Sequence, residues 1–295
     1  MACCEDSGPD RAWRDELSRE EALALTEQIA QAGIPYVVFG GGEPLGVPHC
    51  LELIEKLARS GVAVKLETDG RHIDEASAER LVELGVRCIQ ISVDGATAAT
   101  HERIRPGCRF SEALAAIERL KARGLAPQMV FSPTRLNFGE AVAAYELAAS
   151  LGCQAFITGP LMRLGRAAAD WERLACSEVE WRQMVARLNE RACELGAVTP
   201  LAIYPWDILG ELEHRLASPQ AMLLIVPNGK VKLLNALPFT AADLRRDTLI
   251  EAWEAYRVAW RSPEVARFIF ACRADPALLR HANETWSLSL TTPPP

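Results

Sequence analysis

The chain has 295 residues, of which 49% are hydrophobic and 24% charged, so it can bury a large core as one α/β domain or two smaller domains. Its formal net charge of -7 argues against a general nucleic-acid or anionic-membrane binder. No apolar run approaches the roughly 20 residues of a membrane helix, and no basic segment followed by an apolar run opens the chain. We therefore expect a cytoplasmic protein with no nucleic-acid or membrane partner.

The first half of the chain repeats one pattern, in which an amphipathic helix ends at a glycine and a short apolar strand follows. Ser18 and Glu21 predict the capping box of the first of these helices. Five helices are predicted to end at Gly33, Gly61, Gly85, Gly124 and Gly152. The strands after them are predicted at residues 37–39, 62–67, 86–93, 127–132 and 154–159. This alternation is typical of sequential βα units with parallel strands.

The predicted strands end in glycines and polar residues. These ends are Gly40 to Glu43, Thr68 to Gly70, Ser92 to Gly95, Thr134 with Asn137, and Gly165 with Arg166. Ligands of parallel α/β folds bind at the carboxyl ends of the strands, so this edge is the predicted active site. Ordinary turn chemistry is the alternative for any single position, since Asp-Gly and Asn are common turn residues.

The pattern changes in the last third of the chain. Ser177 and Glu180 predict another capping box, which opens a long helix that runs to Gly196. An Asn228-Gly229 turn between the apolar runs 221–226 and 230–234 predicts a hairpin, and a helix is predicted near residues 248–260. We therefore predict two domains, residues 1–196 and residues 197–295.

Five segments, in this order, resemble the strand-end motifs of radical S-adenosylmethionine (radical SAM) enzymes, most closely those with a C-terminal SPASM or twitch extension. They are FGGGEPL (39–45), LETDGRHI (66–73), ISVDGATAATHERIR (91–105), Arg123-Gly124 and MRLGRA (162–167). The resemblance covers residues 1–175 well and the remainder loosely. It implies an α/β fold, a partial (β/α)6 TIM-like barrel of parallel strands whose first strand is missing, with a small C-terminal α+β extension.

The resemblance implies that S-adenosylmethionine is bound at nine positions of this sequence, namely Gly41, Gly42, Glu43, Thr68, Asp69, Ser92, Asp94, Asn137 and Arg166. The glycines and Glu43 match the segment that holds the amino group of the cofactor, and a carboxylate beside an open backbone suits an ammonium group. Ser92 and Asp94 match the segment at the ribose hydroxyls. Many family members have Asn where this chain has Asp69.

The family also carries a CxxxCxxC loop whose three thiolates bind a 4Fe-4S iron-sulfur cluster. This sequence lacks that loop, and the resemblance implies metal-ligand positions only for Cys3 and Cys4. We therefore expect an N-terminally truncated chain that, as printed, holds no normal 4Fe-4S cluster. Beyond Cys193 the sequence has only Cys272, so an auxiliary cluster is not expected either.

The implied activity is generation of a 5′-deoxyadenosyl radical for hydrogen abstraction, in peptide modification or cofactor maturation. The implied partners are a peptide or small-molecule substrate and an electron donor such as ferredoxin or flavodoxin. One alternative is a degenerate, non-catalytic protein that binds S-adenosylmethionine or a partner without iron. A second is an unrelated barrel aldolase or phosphate-site enzyme, for which Lys65 is a poor candidate because strand alternation places it beside Glu67.

Overall fold

The computed structural model describes residues 15–196 and 198–288. Their contacts divide the chain into two compact units. The first comprises residues 34–161 and 170–205, and the second comprises residues 15–33, 162–169 and 206–288. The predicted division into residues 1–196 and 197–295 stays a prediction, and Cys3, Cys4 and Ala197 lie outside the described residues.

The first unit contains a six-stranded parallel sheet whose strands follow one another in chain order. The strands are β1 Tyr36–Phe39, β2 Ala63–Thr68, β3 Cys88–Ser92, β4 Gln128–Phe131, β5 Ala155–Thr158 and β6 Leu201–Ile203. The sheet confirms the predicted parallel α/β architecture. The sequence did not predict β6, because its three residues are too few to show a period.

The helices of the first unit are α2 Cys50–Arg59, α3 Glu75–Glu83, α4 Ala98–Ile104, α5 Phe110–Ala122, α6 Ala141–Leu151, α8 Trp171–Leu174 and α9 Glu178–Glu194. Four of these helices, α2, α3, α5 and α6, end where the repeated pattern predicts, and α9 follows the predicted capping box of Ser177 and Glu180, whereas the repeated pattern did not predict α4 or α8. Helix α5 begins at Phe110, and Ser111, a residue type that often caps helices, lies inside its first turn. Its first free N–H, from Phe110, donates to Glu102 Oε1 at 3.2 Å instead of to a serine cap.

All five predicted stop glycines adopt positive φ angles, from 67° at Gly152 to 84° at Gly124. Residues with a Cβ rarely adopt this conformation, so a glycine there ends the helix and redirects the chain into the next strand. This local geometry explains why the five helix ends could be read directly from the sequence.

The two faces of the parallel sheet differ in polarity. On β2 to β5 alternate residues are buried, among them Leu66, Ile91 and Phe156, and α2, α5 and α6 pack on the sheet. The intervening residues are only half-buried and are often polar. Gln90 Nε2, for example, donates to Gln128 Oε1 at 2.8 Å across neighbouring strands. The sheet is therefore anchored by one apolar face and presents a polar face.

The second unit is built from α1 Arg19–Gln31, α7 Gly165–Ala169, α10 Ile208–Ala217, α11 Leu249–Ala259 and α12 Pro263–Ala274. Its four strands are β7 Leu224–Ile225, β8 Lys230–Lys232, β9 Phe239–Asp243 and β10 Trp286–Ser287, in the order β10-β9-β8-β7. The antiparallel β7–β8 pair confirms the predicted hairpin, and Ser18 forms the predicted capping box with Glu21. Tyr256, Trp260 and Phe239 belong to its core.

None of the helices in residues 15–196 and 198–288 combines the length and the apolar character needed to cross a membrane.

Candidate functional site

Glu43 stands just beyond the end of β1 and accepts hydrogen bonds from the end of β2. The Thr68 hydroxyl donates to Glu43 Oε1 at 2.7 Å, and the Asp69 backbone N–H donates to Oε2 at 2.8 Å. The N–H of Leu45 also donates to Oε1, at 3.2 Å. The two strands are neighbours in the parallel sheet, so their ends bring these predicted site residues together.

The hydrogen bonds to the Glu43 carboxylate do not fully offset the cost of burying it in its ionised form. Burial, followed by the nearby charge of Asp69, raises the pKa of Glu43 to about 7. Burial by itself would also raise the pKa of Asp69, but the hydrogen bonds and charge of Arg71 outweigh it, so that pKa lies below its usual value. An ionised Glu43 therefore gains from a cation placed beside it, whereas Asp69 already has one.

Arg71 binds Asp69 through two side-chain nitrogens, with Nη2 2.6 Å from Oδ2 and Nε 3.1 Å from Oδ1. The same guanidinium lies 3.1 Å from the Cys108 sulfur, which is 3.6 Å from Asp69 Oδ2. The sequence analysis assigned no role to Arg71 or Cys108. The spacing of Arg71 two residues after Asp69 is a local signal for their pairing, whereas the approach of Cys108 has none.

Asp94, at the end of β3, is only 1% exposed and its carboxylate is fully engaged by the protein. Arg105 Nε donates to Oδ2 at 2.5 Å, and the Ser132 N–H donates to Oδ1 at 2.7 Å. The side-chain amide of Asn137 donates to the Asp94 carbonyl at 3.0 Å. Asp94 and Asn137 thus fix the loops after β3 and β4 to each other.

The remaining predicted positions have different surroundings. Gly41, with a φ of 102°, and Gly42 are exposed, so a ligand can approach their backbone closely. Ser92 is the last residue of β3 and is half-buried. Arg166 lies on α7 in the second unit, where it lines a pocket with Arg163 and Arg280.

Two further titratable residues, His101 and Lys65, have partners within the protein. His101 is fully buried, and its Nδ1 accepts from the Asp94 N–H at 3.1 Å; burial lowers its pKa and so favours the neutral ring. Lys65 Nζ lies 2.7 Å from Glu67 Oε1. Burial would lower the pKa of Lys65, but the bond to Glu67 and its charge raise it overall. Lys65 therefore lacks the depressed pKa that a Schiff-base lysine needs.

The described residues fit the binding of an ammonium-bearing cofactor better than the ligation of iron. In residues 15–196 and 198–288, no three or more His, Cys, Asp or Glu side chains are grouped so as to hold a metal ion. The described residues therefore supply no site for an iron-sulfur cluster. By contrast, the end of β1 fits a ligand that carries an ammonium group. The glycines beside Glu43 are exposed, and a cation would stabilise the ionised Glu43 carboxylate, which burial disfavours.

The sequence matches the radical SAM superfamily over residues 3–145. It is 31% identical over 289 residues to an AdoMet-dependent heme synthase of Methanosarcina barkeri, a match that covers 88% of this chain and 80% of the relative. It is 34% identical over 234 residues to the mycofactocin maturase MftC of Mycobacterium ulcerans, covering 77% of this chain and 62% of the maturase.

Solved structures share the fold at low sequence identity. Streptococcus suis SuiB bound to precursor peptide SuiA has a TM-score of 0.71 and 13% identity, over 86% of this chain and 62% of that one. Native anSMEcpe with bound AdoMet has a TM-score of 0.60 and 15% identity, over 86% of this chain and 76% of that one. The chain thus spans about three fifths of the length of the maturase and of SuiB.

Proposed function

This chain belongs to the radical SAM superfamily, and from that membership we propose that the carboxyl edge of its parallel sheet binds S-adenosylmethionine for radical chemistry in peptide modification or cofactor maturation. When bound and reduced by one electron, S-adenosylmethionine supplies the 5′-deoxyadenosyl radical that abstracts hydrogen from a substrate. The part of this chain is to bind the cofactor, orient it and exclude water.

The observation that carries the proposal is the Glu43 site. Glu43 receives N–H and O–H donors from the end of β2, yet burial and the charge of Asp69 disfavour its ionised form, and no arginine or lysine of residues 15–196 and 198–288 forms a salt bridge with it. The ammonium group of an amino acid supplies that charge and donates hydrogen bonds to the carboxylate. Gly41 and Gly42 leave room for the ligand, and Thr68 with Asp69 holds the carboxylate in place.

The other proposed contacts are less direct. Ser92 is proposed to face the ribose, while Asp94 and Asn137 hold the adjoining loops in position through their own hydrogen bonds. Arg166 is proposed for the carboxylate of the cofactor. Cys3 and Cys4 remain the proposed iron ligands.

We also propose that the second unit contains a SPASM or twitch-like extension. The β7–β8 hairpin, strand β9 and helix α11 support it, because they form α+β structure in the part of the chain where the resemblance implies a small α+β extension. A peptide substrate is supported by the likeness to MftC and to SuiB bound to its precursor peptide.

The proposed electron donor is a ferredoxin or flavodoxin. The proposed location is the cytoplasm, where the seven free cysteines of the described residues stay reduced.

Cofactor binding and iron loading separate the proposed enzyme from a non-catalytic binding protein. We expect the chain as printed to bind S-adenosylmethionine in calorimetric titration. After anaerobic reconstitution we expect far fewer than about four irons per chain and no strong absorbance near ~400 nm, because a 4Fe-4S site needs three thiolates. A full iron complement would contradict the second expectation. Binding of S-adenosylmethionine without its cleavage under dithionite would favour the non-catalytic alternative.

The affinity for S-adenosylmethionine is expected to peak between about pH 7 and pH 8. Below this range Glu43, with its pKa of about 7, is protonated in the free protein, so each pH unit lowers the affinity about tenfold. Above about pH 8 the α-amino group of the ligand loses its proton. Calorimetry across this range tests the expectation, and an affinity that is constant below pH 7 would contradict it.

Folding of the ligand-free chain has the opposite pH dependence. The folded pKa of Glu43, about 7, lies above its usual value of 4.5. The contribution of neutral Glu43 to stability is therefore present below pH 4.5 and is lost as the pH rises through about 7. The melting temperature of the ligand-free chain, measured at pH 4.5 and above about pH 7, tests whether this contribution is lost as the pH rises.

A further inference from the structure

The turn after β2 brings the carboxyl group of Asp69 next to that of Glu43. The Asp69 N–H donates to Glu43 Oε2 at 2.8 Å. Burial, the charge of Asp69 and a side-chain hydrogen bond to Asp69 raise the pKa of Glu43 to about 7. Two carboxyl groups this close cannot both ionise without a cost in free energy, so they compete for one proton.

Arg71 neutralises one member of this pair. Its Nε and Nη2 lie 3.1 Å from Asp69 Oδ1 and 2.6 Å from Oδ2, and its backbone N–H donates to Oδ1 at 3.0 Å. Nη2 also lies 3.1 Å from the Cys108 sulfur. The Asp69 side chain is only 9% exposed, so water cannot replace the guanidinium group as its partner. Arg71 therefore determines the charge of Asp69.

The turn that carries Asp69 is held in place by packing as well. The Gly70 N–H donates to the Thr68 hydroxyl at 3.0 Å, and Gly70 has a positive φ of 88°. A Cβ at this position would lie 3.1 Å from the Cβ of Ala116 on α5, so the helix packs tightly on the turn. We therefore expect the turn to keep its shape when the Arg71 side chain is replaced.

We propose that Arg71 is a positioning residue of the Glu43 site, which keeps Asp69 ionised and occupied so that Glu43 alone receives the ammonium group of the ligand. Burial would raise the pKa of Asp69, but the hydrogen bonds and charge of Arg71 lower it overall, so the contested proton resides on Glu43. The arriving ammonium group displaces this proton to solvent and leaves the Asp69–Arg71 pair intact. The inference rests on the proposed function for the identity of the ligand.

Three further titratable side chains, Cys50, Cys108 and His72, lie near the two carboxyl groups. Burial raises the pKa of Cys50 to about 12, and burial with the charge of Asp69 raises the pKa of Cys108, so both thiols are neutral at about pH 7. His72 Nε2 and Glu43 Cγ lie 3.5 Å and 3.8 Å from the place that a Cβ of Gly46 would take. Because His72 can also gain a proton, the test has to follow Glu43 by its own signal.

Carbon-13 NMR of the glutamate side-chain carboxyl carbons follows Glu43 in the ligand-free full chain, and Glu43→Gln identifies its signal by removing it. Arg71→Gln is expected to raise the midpoint of the Glu43 titration by about one pH unit. Arg71→Lys is expected to raise it less, because lysine keeps the charge but not the paired hydrogen bonds. Asp69→Asn is expected to lower the midpoint by about one pH unit. When Asp69→Asn is already present, Arg71→Gln is expected to change it little further.

Arg80→Gln is the matched control. Arg80 also pairs with carboxylates, those of Glu55 and Glu83, and its side chain is 37% exposed, compared with 39% for Arg71. Its replacement is expected to leave the Glu43 midpoint unchanged. A midpoint that Arg71→Gln does not move, or moves equally with and without Asp69, would overturn the proposal, because Arg71 would then not act through Asp69. If Arg71→Gln does not fold, the same comparison is made with Arg71→Lys.

Addition of S-adenosylmethionine to the unaltered chain at about pH 7 separates this inference from the proposed function. The bound ligand is expected to move the Glu43 signal to its ionised position. Calorimetric binding without that movement, or no binding, would contradict the proposed role of Glu43. The titration midpoints of the ligand-free variants would still decide whether Arg71 acts on Glu43 through Asp69.

Discussion

Glu43→Gln is expected to lower the affinity for S-adenosylmethionine about 100-fold, which corresponds to about 2.7 kcal/mol. The substitution keeps the size of the side chain and removes the negative charge that pairs with the ammonium group. A glutamine oxygen can accept from only one side of the site. Its amide nitrogen faces either the Leu45 N–H or the Asp69 N–H, so one backbone donor loses its acceptor. Calorimetric titration at about pH 7.5 measures the loss.

The fold is expected to tolerate this change, because the ionised carboxylate is itself disfavoured at neutral pH in the ligand-free chain. Thermal unfolding of the variant checks that tolerance. Glu75→Gln is the matched control, since it removes the same charge from an exposed residue that pairs with Arg119 and Arg123. If Glu43→Gln binds S-adenosylmethionine as tightly as the Glu75→Gln control, the assignment of Glu43 to the amino group is wrong.

Asp94→Asn is expected to lower the free energy of unfolding by about 3 kcal/mol, because it breaks a buried charge pair while leaving the partner in place. Asparagine can accept from Ser132, but its amide N–H then faces Arg105 Nε, which is also a donor. The Arg105 side chain is 29% exposed, so water compensates part of its charge and the loss stays below that of a fully enclosed pair. Urea denaturation of both proteins measures the difference.

Asp170→Asn provides the comparison for this second prediction. Asp170 also pairs with an arginine, with Arg173 Nη2 2.6 Å from Oδ2, but both side chains are about half exposed. An exposed pair of this kind contributes at most about 1 kcal/mol. Equal losses in the two variants would mean that burial of Asp94 contributes nothing. A large loss for Asp94→Asn alone would support its role in holding the loops of the site.

The two predictions distinguish a residue that binds the ligand, Glu43, from a residue that stabilises the loops of the site, Asp94. Glu43 is expected to act on the ligand directly, so its replacement changes affinity more than stability. Asp94 has both carboxylate oxygens bound by the protein, so its replacement is expected to change stability first and affinity only through the loosened loops. This differs from the resemblance-based prediction that Asp94 contacts the ribose, and titration of a folded Asp94→Asn sample with S-adenosylmethionine measures what remains of that contact.

The architecture and the edge that carries the site could be predicted from the sequence because their signals are local. Helix caps such as Ser18 and Ser177, stop glycines such as Gly152, and short apolar runs each act within a few residues of chain. Parallel βα units then bring the ends of the strands to one edge without further information. The order of motifs along the chain was sufficient to name the family that the comparisons later matched.

Only the tertiary structure decided how the side chains at that edge are used. Thr68 reaches Glu43 across 25 residues of sequence, and Asn137 reaches Asp94 across 43. Cys108 approaches Asp69, and Arg280 joins Arg163 and Arg166 around one pocket, although no periodic pattern links these positions. Burial and charge at each position depend on such distant contacts. The sequence by itself therefore determined which strand ends meet. The folded chain determined that, among the described residues, Asp69 and Asp94 form salt bridges with arginines whereas Glu43 forms none.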